Sequence, residues 1–124
     1  MNRLREQLMK LLKSYHPNVY FQNATKKDRF PYIVYNLPNA ISNEQQEIFN
    51  LDVDIWDNKD DTTQLETLSS LLWKELNYYS YTDEYIQFSI YRENRLPPLD
   101  EDNNNIKRRK LIFQLRYFDR RLFE

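Results

Sequence analysis

Asp52 and Asp54, with Glu47 and Asp57 close by, are the residues whose types and spacing come nearest to a reaction chemistry. Positions two apart on a strand share a face, and paired carboxylates there can hold Mg²⁺ against substrate phosphates, as metal-dependent nucleases require. No lysine follows at the spacing of a nuclease core, and an ordinary solvated strand face accounts for the same acids. Asp60 and Asp61 fit better as charges at the N-terminus of a following helix. His16 is the only histidine and precedes Pro17, which suits a helix-end or surface role. With one His and no Cys, zinc sites and thiol nucleophiles are excluded. Glycine is absent, so phosphate-cradling loops have no basis. The serines lie outside any nucleophile-elbow context. The expectation is therefore no enzyme, no metal and no cofactor.

A second constellation interleaves bases with aromatics: Lys107, Arg108, Arg109 and Lys110, then Phe113, Arg116, Tyr117 and Phe118. Such a pattern can serve single-stranded nucleic acid. On a strand, however, the odd-numbered aromatics turn into a core while the bases turn out, which equally describes a subunit-contact face. The charge distribution supports that second reading. The net charge is −1, yet residues 41–66 carry eight acids against one lysine, and residues 107–121 carry seven bases against one acid. A bipolar, near-neutral chain suits head-to-tail self-association more than polyanion binding.

The elements that must position these residues follow from periodicity. Leu4, Leu8, Leu11, Leu12 and Tyr15 mark one face of a helix over 3–15, which Pro17 ends. A short strand is expected at 18–21, then one at 32–37. Residues 48–57 alternate cleanly, with Phe49, Leu51, Val53 and Ile55 on one face and Asn50, Asp52, Asp54 and Trp56 on the other. A polar loop over 39–46 would join these last two as a hairpin. Asp61 to Gln64 resembles a capping box opening a helix over 62–77, whose Leu65, Leu68, Leu72 and Leu76 share a stripe. Strands over 85–92 and 110–117 bracket a long polar loop at 93–109, expected to be flexible. Turns must use Asn, Asp, Ser or Pro in place of glycine. The chain of 124 residues then reads as a single α+β domain over 1–124. Its expected architecture is two-layer: an antiparallel four-stranded sheet with two helices on one face, in the order α-β-β-α-β-β. Its apolar runs fall far short of the roughly 20 residues of a membrane span, and no signal peptide is visible.

That whole-chain order carries a resemblance. An amphipathic helix, then Phe30-Pro31-Tyr32-Ile33-Val34-Tyr35, then Leu51-Asp52-Val53-Asp54-Ile55-Trp56-Asp57, then a Leu-rich helix and a long-looped hairpin, is similar to the tail-terminator (tail-completion, tail-to-head joining) proteins of long-tailed bacteriophages. The resemblance implies a structural protein, made in the host cytoplasm and located in the virion tail or neck. It would form a ring, hexameric in the family's manner, that caps the tail tube, ends its polymerisation and joins tail to head. The implied partners are the chain itself, the tail tube protein and a head-completion protein, with DNA only as passing cargo and no membrane. Asp60, Asp61, Lys107, Arg108, Arg109, Lys110 and Arg116 are the expected contact residues. Asp52 and Asp54 are expected to line the lumen, and Arg95, Leu96, Pro97, Pro98 and Leu99 to form a docking loop. A head-side neck protein (stopper or connector) is the alternative, followed by a metal-dependent nuclease or nucleic-acid binder.

Overall fold

The computed structural model describes residues 2–24, 29–42, 46–97, 99–100 and 106–120, without the side chains of Leu99 and Asp100. Its elements in chain order are α1 (Asn2–Lys13), β1 (Val19–Phe21), β2 (Tyr32–Asn36), β3 (Ala40–Ser42), β4 (Glu47–Asp57), α2 (Thr63–Glu75), β5 (Ser80–Thr82), β6 (Ile86–Arg95), β7 (Leu99–Asp100) and β8 (Lys107–Asp119). The strands form one eight-stranded sheet with the path β1-β2-β4-β8-β6-β5, while β3 pairs with β4 and β7 with β8. All pairings are antiparallel except β1 with β2, which is parallel.

This overturns the expected four-stranded antiparallel sheet in α-β-β-α-β-β order. The four long strands exist and β1 answers the short strand expected at 18–21, but β1 pairs in parallel and makes the sheet mixed, and three further short strands extend it. β1, β3, β5 and β7 are two or three residues long. Strands that brief show no alternation of their own; they form because a longer neighbour offers unpaired backbone groups. β2 and β3 lie successively along the same side of β4, so the hairpin continues through residues 40–42 where a loop over 39–46 was expected. Much of the expected loop at 93–109 is likewise strand: Glu93 to Arg95 finish β6, Leu99–Asp100 make β7, and Lys107 to Arg109 begin β8. Pro98 and residues 101–105 of that loop lie outside the described residues.

One apolar core joins the leucine stripes of both helices to the inward positions of the sheet. Leu8, Leu12, Phe49, Val53, Leu68, Leu72, Phe88, Ile90, Phe113 and Leu115, which helical spacing and strand alternation place on the inner faces of these elements, are all buried in a single cluster. α2 lies against β4 and β8, and α1 against β1. No helix among the described residues is long and apolar enough to cross a membrane.

The ends of the elements differ from the sequence reading in instructive ways. Asp61 does not form a capping box with Gln64. Its Oδ1 accepts from the Thr63 backbone N–H at 2.9 Å and from the Thr63 hydroxyl, while Gln64 accepts from Lys59. Those two hydrogen bonds hold the Asp61 carboxyl below its ordinary range. Without glycine, two backbone positions with positive φ fall to Gln22 (66°) and Tyr78 (65°) rather than to Asn or Asp. A bulky residue in the left-handed region costs on the order of 1 kcal/mol or more, so Tyr78 is held there by its surroundings. Its N–H donates to Ile90 O at 2.8 Å, tying the α2–β5 connection to β6.

Asp83 performs the largest local organisation, and nothing in the sequence singled it out. Its Oδ1 accepts from the backbone N–H groups of Tyr85 and Ile86, closing the β5–β6 turn. Its Oδ2 accepts from the Tyr81 hydroxyl at 2.8 Å and from Arg3 at 2.7 Å, which fastens the first turn of α1 to that turn. Loss of water around the carboxylate pushes its pKa up, but these donors outweigh it and hold the group well below the usual carboxylate range.

Candidate subunit interface

Every residue singled out for charge lies on, or beside, the pairing of β4 with β8. That pairing spans both strands in full antiparallel register, from Glu47 opposite Tyr117 to Asp57 opposite Lys107. Alternation turns Phe49, Leu51, Val53 and Ile55 inward and leaves Asp52, Asp54 and Trp56 on the outer face. On β8 the outer positions are Arg108, Lys110, Ile112, Gln114 and Arg116.

The acidic and basic runs are therefore neighbours within one subunit and not opposite flanks. Asp54 stands directly across from Lys110 in the register. Lys110 Nζ lies 3.3 Å from Asp52, Arg108 Nε lies 3.9 Å from Asp54, and Lys107 Nζ lies 3.9 Å from the fully exposed Asp60. Arg109 turns to the other face, where it and Arg95 approach Glu66 of α2 at 3.8 Å and 3.7 Å. Arg95 also donates to the Ser69 and Ser70 hydroxyls, so it fastens β6 to α2. The segregation that makes the sequence bipolar is largely cancelled by strand pairing.

Asp52 and Asp54 share a face as expected, but each is set against a cation instead of converging with further carboxylates. Among the described residues, no group of three or more His, Cys, Asp and Glu side chains is arranged to hold a metal ion. His16 donates from Nε2 to Pro31 O at 2.7 Å, tying the end of α1 to the start of β2. Leu96 donates its N–H to Lys110 O at 3.0 Å, so this part of the expected docking loop is pinned along β8.

The outer face has two unlike ends. At one, Tyr32 stacks on Trp56 with centroids 6.2 Å apart and is covered further by Tyr20 and Phe30, while the Arg108 guanidinium lies 5.1 Å over the Trp56 ring. A cleft of about 400 Å³ opens there, lined in part by Tyr32, Asp54, Trp56 and Arg108. At the other end Ile41 is opposite Ile48, Ile48 is opposite Arg116, and Tyr91 is opposite Gln114. The Arg116 guanidinium lies 5.1 Å over the Tyr91 ring, and Tyr78 packs its edge on Tyr91. Ile41 and Tyr78 are the most exposed large apolar side chains among the described residues, at 72% and 76%. Sequence reasoning missed both: Ile41 falls in the expected loop, and Tyr78 just beyond a helix.

No protein-family model matches this chain, and no curated protein does. A solved structure matches in fold: a chain from the virion of a native gene transfer agent particle superposes with a TM-score of 0.70 over 87% of this chain and 84% of that one, at 8% sequence identity. At that identity the likeness is one of fold.

Proposed function

We propose that this chain is a non-enzymatic structural subunit of a tailed-phage virion, and that it assembles as a ring of the tail-terminator kind. The observation that carries this reading is the near full-length fold shared with a virion chain. The tail-terminator resemblance of the sequence points the same way. The outer face supports it too, because its acids and bases compensate one another and its aromatic and aliphatic groups stand exposed, which suits binding better than catalysis.

In this reading the ring caps the tail tube, ends its polymerisation and presents a docking surface to the head. Its partners are further copies of itself, in a hexamer, together with the tube protein and a head-completion protein. Asp60, Asp61 and Arg116 are the exposed members of the nominated contact set. Asp52 and Asp54, if turned to the lumen, would give passing DNA a strip balanced by Lys110 and Arg108.

The test is electron microscopy and native mass measurement of the purified chain, alone and with tail tubes, beside particles made without it. Rings at tube tips, and overlong unjoined tails in its absence, are the expected result. Co-purification with tail-free heads instead would assign it to the head side of the neck. Divalent-dependent DNA cleavage lost in Asp54→Ala would replace the reading altogether.

A further inference from the structure

At the Ile41 end the outer face carries a continuous row across five strands: Ile41 of β3, Ile48 of β4, Arg116 of β8, Ser89 of β6 and Ser80 of β5. Both ends of this row are three-residue strands. Among the described residues β3 pairs only with β4, and β5 only with β6. Each therefore presents one edge whose N–H and C=O groups meet no strand, which is a template for a further strand. Every step from β3 to β5 is antiparallel, and there are four of them. β3 and β5 consequently run in the same direction, on opposite flanks of the sheet.

We propose that β3 of one copy of this chain pairs in parallel with β5 of the next, so that the sheet continues from subunit to subunit. The proposal rests on the reading of the chain as a self-assembling ring subunit and names the contact that makes the ring. Joining two different edges is a heterologous contact, which closes into a ring where the rotation between copies returns to its start, whereas β3 against β3 would be isologous and stop at two copies. The two edges carry different exposed groups. The sequence from Phe30 to Asn58 contains no Lys or Arg, and Glu47 of β4, opposite Ser42 of β3, is without an ion pair among the described contacts. Beside β5 stands the exposed Tyr78, which packs its edge on Tyr91, while Arg116, over the Tyr91 ring, stands on β8 midway between the two edges. An edge bearing the exposed aliphatic Ile41 thus meets an edge flanked by the exposed aromatic Tyr78. The shared strand direction fixes which edges can meet, and the apolar contact holds them together.

The chain contains no cysteine, so the contact can be read by placing one on each edge. Ser42 and Ser80 are exposed, and Ser42→Cys and Ser80→Cys are made singly and together in the full chain, with circular dichroism confirming the fold. A short bis-maleimide is added under conditions where native sizing shows assembled protein. The expected result is a ladder of linked species from the double variant alone. Linked dimers from Ser42→Cys by itself would overturn the proposal in favour of an isologous pair. Unlinked double variant of unchanged native size would also overturn it, while leaving the ring reading intact with its contact elsewhere. A chain that stays monomeric on native sizing at all concentrations, and with tubes present, would overturn both.

Discussion

The two ends of the outer sheet face are built from similar residue types and end in opposite states. At the Trp56 end, Arg108 has Asp54 and an indole ring beside it, Lys110 has Asp52, and Tyr32 is buried under three other rings. At the Tyr78 end, Arg116 also lies over a ring, but the aromatic and aliphatic groups around it face solvent. Charge density in a sequence is thus a poor guide to where a surface is available. In the conspicuous runs at 41–66 and 107–121, Asp52 and Asp54 of β4 lie within 4 Å of Lys110 and Arg108 of β8, whereas the exposed end gathers Ile41, Arg116 and Tyr78 from separate strands and a turn.

The largest expected effect lies beneath both ends and tells loss of fold from loss of contact. Leu72 is fully buried in the core, and Leu72→Ala should lower stability by about 2–5 kcal/mol in urea unfolding, from lost transfer energy and the cavity left behind. Changes at the exposed end should behave differently. Ile41→Asp and Tyr78→Ala should each weaken self-association about tenfold or more by concentration-dependent sizing, the range of an interface anchor, and leave the urea midpoint of Ile41→Asp nearly unchanged. If both fall together with stability, the two ends do not differ in the way described.

The Trp56 end should yield a smaller effect, expressed within the monomer. Arg108→Asp should cost on the order of 1 kcal/mol, and adding Asp54→Arg should recover part of it, because these partly exposed groups are screened by solvent. Recovery by Lys substitutions at Asp60 and Asp61 instead would return the charge runs to an intersubunit role. The smallest expected effect is on acid stability. Asp83 has a folded pKa below its unfolded value, so its stabilisation is complete above the ordinary carboxylate range of about 4 and is lost as pH falls through the depressed value. Asp83→Asn should therefore show a flatter acid limb in unfolding measured against pH; an unchanged limb would remove Asp83 from that account.

What the sequence made legible was long and local. The alternation of residues 48–57 located β4, and the leucine spacing located both helices, since an element of ten or more residues repeats its own pattern several times. Among the short strands β1 was expected at 18–21, but β3 and β5 were not legible because they have only three residues each, and their existence depends on edges left by β4 and β6. The fate of the candidate site residues was hidden for a related reason. Asp54 and Lys110 become neighbours through a pairing that joins distant parts of the chain, and no local pattern encodes that register. Tyr78 shows a third limit: a chain without glycine still needs left-handed backbone, and which bulky residue accepts it is decided by the α2–β5 connection and not by propensity.

The position of β8 has a consequence for how the protein is made. β8, the last strand among the described residues, occupies the middle of the sheet, with β4 on one side and β6 on the other. During translation, β4 and β6 emerge from the ribosome before the strand that must lie between them, and so wait with exposed apolar faces and open backbone until it arrives. Such long-range pairing is slow to form and leaves the nascent chain open to wrong partners. It also delays completion of the five-strand row from β3 to β5 until β8 has been synthesised, so that a half-made chain cannot hold both edges in register.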